Sequence, residues 1–105
     1  MRIEETTDDS NIVYFREYFN ERGQLHRIDG PAKQRLDEFG FDAWYENGEL
    51  HREDAPAQIW AEGTKYWYTR GKLHRDDGAA VEYANGDKSF WLDGELIRIE
   101  RRSKA

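Results

Sequence analysis

Cysteine is absent from this 105-residue chain, methionine occurs once and proline twice. The lack of cysteine removes disulfides, thiolate metal sites and thiol nucleophiles together, and makes a reducing cytoplasm the expected location. No apolar run approaches the roughly 20 residues that cross a bilayer, and the opening residues, MRIEETTDDS, have no apolar stretch of the secretory kind. Serine is scarce too, and Ser10, Ser89 and Ser103 stand in no nucleophile context. Grouped cations occur only at the end, where Arg98, Arg101, Arg102 and Lys104 against Glu100 give +3; with a net charge of −6 the remainder carries −9. That balance speaks against a nucleic-acid platform, which displaces counterions with clustered Lys and Arg. No helix-period apolar stripe of ten or more residues occurs either.

What the chain has instead is aromatic mass and repetition. Four Trp, six Tyr and five Phe supply rigid apolar area in a composition whose hydrophobic share (37%) barely exceeds its charged share (36%). Three segments share a Leu-His-Arg-x-Asp core: Leu25, His26, Arg27 and Asp29; Leu50, His51, Arg52 and Asp54; Leu73, His74, Arg75 and Asp77. The glycines two residues before each leucine, Gly23, Gly48 and Gly71, continue to Gly94 at steps of 25, 23 and 23. An interleaved series, Gly40, Gly63 and Gly86, steps by 23. Two series in phase mark a 23-residue repeat. The first unit's two extra residues fall between Ala32 and Gly40, an even number that preserves strand parity and could lengthen a strand.

Each unit reads as β-structure. AWYENGELH and YWYTRGKLH place aromatic residues before a tight turn at Asn47-Gly48 or Arg70-Gly71, and Asn85-Gly86 repeats the type I′ signal. Pro31 and Pro56 mark bends. The expected fold is all-β: an antiparallel meander of about eight short strands in a single curved sheet, made of 23-residue hairpin repeats. Its units run over 14–40, 41–63, 64–86 and 87–100 within a domain spanning 12–100, with a polar segment at 1–11 and a basic tail at 101–105. NIVYF and FWLDGELIRIE are expected at the sheet edges, guarded by Arg16, Glu17, Arg98 and Glu100.

The segment Gly71 to Glu95, GKLHRDDGAAVEYANGDKSFWLDGE, resembles a MORN-type repeat in its unit length and glycine positions. It is similar to variant MORN-like repeats carrying Leu-His-Arg-x-Asp-Gly-Pro-Ala, found in bacterial and phage proteins of unassigned function. The resemblance covers about residues 14 to 98. His26, His51 and His74 replace the usual first motif glycine, and Ala55 stands where the sister units have Gly30 and Gly78. The resemblance implies a curved row of hairpins.

Adjacent aromatic pairs, Tyr18-Phe19, Trp44-Tyr45, Trp67-Tyr68 and Phe90-Trp91, put one ring on each side of such a sheet. The chain is too short to cover both sides, so one row is expected to meet a protein partner or a second copy in a homodimer. Trp44, Tyr45, Arg52, Trp67, Tyr68, Arg75 and Trp91 are the expected binding residues, because Trp, Tyr and Arg dominate interface energetics. The repeated motif reads as structural: a core leucine, a half-buried histidine with one ring nitrogen bonded, an arginine brace, and an aspartate accepting N–H groups of the following turn. Ile97 fills the histidine position in the fourth unit. Three copies of a His/Asp pair speak against a catalytic dyad. Zinc nitrogens must sit about 3–4 Å apart, whereas equivalent strands two apart are about 9–10 Å apart, so no metal is expected. A nucleotide pocket has compositional support only, and no cofactor is expected. The function expected is non-enzymatic protein binding with self-association. The alternative is a phage-encoded acidic inhibitor or decoy of a host nucleic-acid-binding or defence protein.

Overall fold

The computed structural model describes residues 1–102; residues 103–105, with Lys104 of the basic tail, lie outside the described residues. Nine segments form one antiparallel sheet in the order β1 (Arg2–Thr7), β2 (Val13–Phe19), β3 (Lys33–Arg35), β4 (Phe41–Ala43), β7 (Gln58–Trp60), β8 (Lys65–Tyr66), β11 (Val81–Glu82), β12 (Lys88–Leu92) and β13 (Glu95–Glu100). Two small hairpins project from it, β5 (Tyr45–Glu46) with β6 (Glu49–Leu50), and β9 (Tyr68–Thr69) with β10 (Lys72–Leu73). The all-β meander is as expected, with more and shorter segments. In units two and three the strand breaks at Trp44 and Trp67, whose N–H groups still donate to Ala57 and Ala80 of the neighbouring strand while the next residues pair only within their own hairpin. No described helix is long and apolar enough to cross a membrane.

The N-terminal edge differs from expectation. β1 comes from the polar opening segment and covers β2, so NIVYF lies second in the sheet. Ile3, Thr6 and Thr7 suit a strand, and the Arg16–Glu5 pair at 2.9 Å with Arg2 over the Phe19 ring at 4.5 Å pins it. The two extra residues of unit one enlarge loop 36–40; β3 and β7 are equally long, so the strand is not extended.

Turn chemistry sorts the glycines into two classes. Asn47-Gly48, Arg70-Gly71 and Asp93-Gly94 all have two positive φ values, as type I′ requires. At Asn85-Gly86 only Gly86 is left-handed, and the Gly86 N–H donates to the Tyr83 carbonyl while the Tyr83 N–H donates to Asp87. This is a three-residue loop with glycine at its left-handed position, not the I′ turn expected from Asn-Gly. Gly23 belongs to that second class, closing on Asn20. One more residue separates Tyr18 from Arg27 than separates Trp44 from Arg52, and the longer loop absorbs it.

The interior is thin. The fully covered apolar residues are Ala32, Ala43, Ala57, Ala79, Ala80 and Val81, and Val81 is the largest side chain among them. Accessible surface is 7262 Å², against about 6,200 Å² for a compact monomer of this mass. The radius of gyration, 15.3 Å, exceeds the about 13 Å of a globule of this length. One open layer explains both. One side carries the register row Phe15, Arg35, Phe41 and Trp60, with Phe41 and Trp60 rings 4.7 Å apart. On the same side Ala43, Val81 and Ser89 form the covered middle.

The hairpins are tied into a row by a repeated set of bonds. The carbonyls of Leu25, Leu50 and Leu73 accept the N–H of Gly48, Gly71 and Gly94 in the next unit. Nδ1 of His26, His51 and His74 accepts the N–H of Asn47, Arg70 and Asp93, each at 3.0 Å. Accepting at Nδ1 places the proton of a neutral ring on Nε2, which in His74 sits 3.0 Å from Asp76. Unit four has no following hairpin among the described residues, and there Ile97 is exposed. The histidine is therefore a staple between units, needed wherever a next turn must be held.

Candidate functional site

Beside the staples lies a second ladder. Arg27 covers the Tyr18 ring at 4.0 Å, Arg52 covers Trp44 at 3.8 Å, Arg75 covers Trp67 at 4.0 Å and Arg98 covers Phe90 at 4.0 Å. Such cation–π stacking joins a weakly hydrated guanidinium to the ring quadrupole. Nη1 of the first three donates to the carbonyl four residues on, in Pro31, Pro56 and Ala79, at 3.1–3.2 Å. Each plate thus braces the loop that follows it. Arg27 and Arg75 also donate from Nε to Asp29 and Asp77 at 3.2 Å, and Arg98 holds Glu100 through Nε and Nη2. These aspartates pair with arginine and do not accept the turn N–H groups expected of them.

Unit two is the exception. Among the described residues no carboxylate pairs with Arg52, and burial pulls its pKa down. The reason lies at Ala55. At the sister positions a Cβ would come 2.9 Å from the guanidinium carbon of Arg27 at Gly30, and 3.0 Å from that of Arg75 at Gly78. With alanine in place, Asp54 takes φ +60, a region that Asp tolerates better than most residues, and its carboxylate is lost to the arginine.

Successive braced loops leave open grooves between them. One, about 750 Å³, lies between units one and two and is lined by His26, Arg27, Trp44, Tyr45, His51 and Arg52 among others. The next, about 480 Å³, is lined by Arg52, Trp67, His74 and Arg75, and a third, about 380 Å³, by Arg75, Phe90, Trp91 and Arg98. No family model matches the chain, and no similar curated protein or solved structure is found. What the face does must be read from its chemistry.

Of the seven residues singled out in the sequence, Trp44, Tyr45, Arg52, Trp67, Arg75 and Trp91 line these grooves. Tyr68 lines none of the three; its ring packs 6.3 Å from Tyr66. Burial raises the phenol pKa of Tyr45, Tyr66 and Tyr68, with Glu17 adding to the shift at Tyr45 and Tyr45 to that at Tyr68. All five aromatics are half-buried; of the exposed apolar side chains, Ile28 lines the first groove and Leu92 and Ile97 the third, while Phe39, Leu96 and Ile99 line none of the three. The rims are acidic: Asp29, Glu53, Asp76 and Asp77 stand 85–88% exposed. Among the described residues no group of three or more His, Asp or Glu is placed to hold a metal ion. Ala55 carries the asymmetry of the face, and its departure from Gly30 and Gly78 was the signal in the sequence.

Proposed function

We propose that this is a non-enzymatic, MORN-like protein-binding module of the cytoplasm, and that it receives a segment of another protein across the grooved face. The observation that carries the reading is the row of grooves between successive units, each floored by plated aromatics and rimmed by exposed carboxylates. Half-buried rings fixed by arginine plates present rigid, amphipathic contact area that loses little entropy on binding. The histidines and arginines hold the walls, which is a binding scaffold's use of them. Capture from a cell lysate followed by amide-exchange footprinting of the complex tests the assignment. Protection is expected in loops 26–31, 51–56 and 74–79; a footprint confined to other surfaces refutes it.

Self-association is a second reading, favoured by β13. The outer edge of that strand has no neighbour among the described residues, and Leu96, Ile97 and Ile99 are exposed along it. A two-fold antiparallel pairing that sets Ile99 against its own counterpart also brings Arg98 against Glu100 of the second copy, whereas the register two residues shorter opposes Arg98 to itself. The cysteine-free chain makes the test clean. Ile99→Cys should oxidise to a species of twice 12.5 kDa, since directly opposed Cα atoms, about 4.5–5.5 Å apart, suit a disulfide. Cross-linking no faster than in Glu62→Cys, with a monomer mass at high concentration, refutes the dimer.

A further inference from the structure

The groove between units one and two differs from its sisters in one respect that bears on what it binds. Arg52 lies flat on Trp44 and spends Nη1 on the Pro56 carbonyl. Its remaining edge, Nε with Nη2, makes no hydrogen bond among the described residues; in Arg98 this same edge holds both contacts to Glu100, at 3.2 and 2.8 Å. A guanidinium edge is a two-donor fork that matches a carboxylate. Building on the protein-binding reading, we infer that this groove is a carboxylate-recognition site, in which the Nε/Nη2 edge of Arg52 takes one acidic side chain of the partner.

The surroundings narrow the ligand. Glu46 and Glu53 stand 3.9 and 3.8 Å from Nε2 of His51, on the same groove. They oppose a multiply charged anion and favour cations flanking a single carboxylate. The ligand class is therefore a peptide segment with one Asp or Glu between basic residues. Trp44 and Tyr45 supply the apolar contact for its stem. The site owes its existence to Ala55: glycine there would allow the loop of units one and three, in which the aspartate accepts from Nε of the arginine.

The probe is the acetylated, amidated peptide Lys-Glu-Lys, with Lys-Gln-Lys as its neutral counterpart, titrated into the full chain while the arginine Nε–H resonances are followed by NMR. The Arg52 resonance should shift saturably and bind the glutamate peptide about tenfold more tightly, the size of one charge-assisted bond. Arg27 and Arg75 should hold still. Ala55→Gly should abolish the response while leaving the melting temperature equal or higher. A response at Arg52 no larger than at Arg27 and Arg75, or one undiminished in Ala55→Gly, overturns the inference. Should a captured partner footprint the grooves yet bind Ala55→Gly as tightly as wild type, the carboxylate anchor fails while the groove reading stands.

Discussion

His51→Phe keeps a ring of similar size and removes the acceptor that holds the Arg70 N–H at 3.0 Å. Arg70 is exposed, so water replaces the imidazole and the loss should be that of an ordinary hydrogen bond, about 1 kcal/mol, and not the about 1–3 kcal/mol of a buried orphan. For a domain of this size that corresponds to a melting shift of about 4–8 °C. The three staples lie in different seams, so His26→Phe, His51→Phe and His74→Phe together should cost about 3 kcal/mol, near the sum of the singles. Urea denaturation followed by tryptophan fluorescence measures the total. Amide exchange assigns it, because Arg70 alone should lose protection in His51→Phe, Asn47 in His26→Phe and Asp93 in His74→Phe. Ile97→His is the control: among the described residues no turn follows unit four, so a histidine there should add no stability. Unchanged protection at Arg70 in His51→Phe, or stabilisation by Ile97→His, would refute the staple.

Other consequences are equally direct. Thr64 is buried and its hydroxyl accepts the Ala84 N–H at 3.1 Å, so Thr64→Val should cost about 1–3 kcal/mol in denaturation while Thr64→Ser costs much less. Arg75→Lys should destabilise by about 1–2 kcal/mol and redshift tryptophan emission, since an ammonium cannot both plate Trp67 and reach the Ala79 carbonyl. Burial holds the phenols of Tyr45, Tyr66 and Tyr68 above their ordinary value near 10. In an ultraviolet titration these three should ionise above that ordinary value. Their neutral forms favour the folded state, so stability is full below pH about 10 and falls as pH rises through that value towards the folded pKa.

Much of the architecture was legible because the repeat is local. Glycine spacing and aromatic-then-turn order fixed the hairpins, and three of the type I′ turns lie where an X-Gly pair precedes Leu50, Leu73 and Leu96. The failures share a cause, in that each depended on a neighbour in space. Gly23 falls in series with Gly48, Gly71 and Gly94, and Asn85-Gly86 reads as a type I′ pair, yet both glycines close three-residue loops, because the number of residues between pairing partners sets the loop. β1 has a polar sequence and exists through its bonds to β2. Ile97 suggested that the histidine is replaceable packing; among the described residues no turn stacks on unit four for a histidine there to hold, which gives its absence another meaning. At the site, the residue types were visible and the pairing was not. That Arg52 differs from Arg27 and Arg75 follows from one methyl group at Ala55, which the loop of the sister units has no room for beside the guanidinium, a restriction that exists only once the loop is folded.

The most direct measurement needs no partner. Hydrogen exchange of the four plated arginines at Nε–H reads which of them are held by a carboxylate. Arg27, Arg75 and Arg98 should exchange slowly through Asp29, Asp77 and Glu100, Arg52 should exchange fast, and Ala55→Gly should slow Arg52 to the rate of its sisters. Equal protection of Arg52 and its sisters in the wild-type chain would contradict the account.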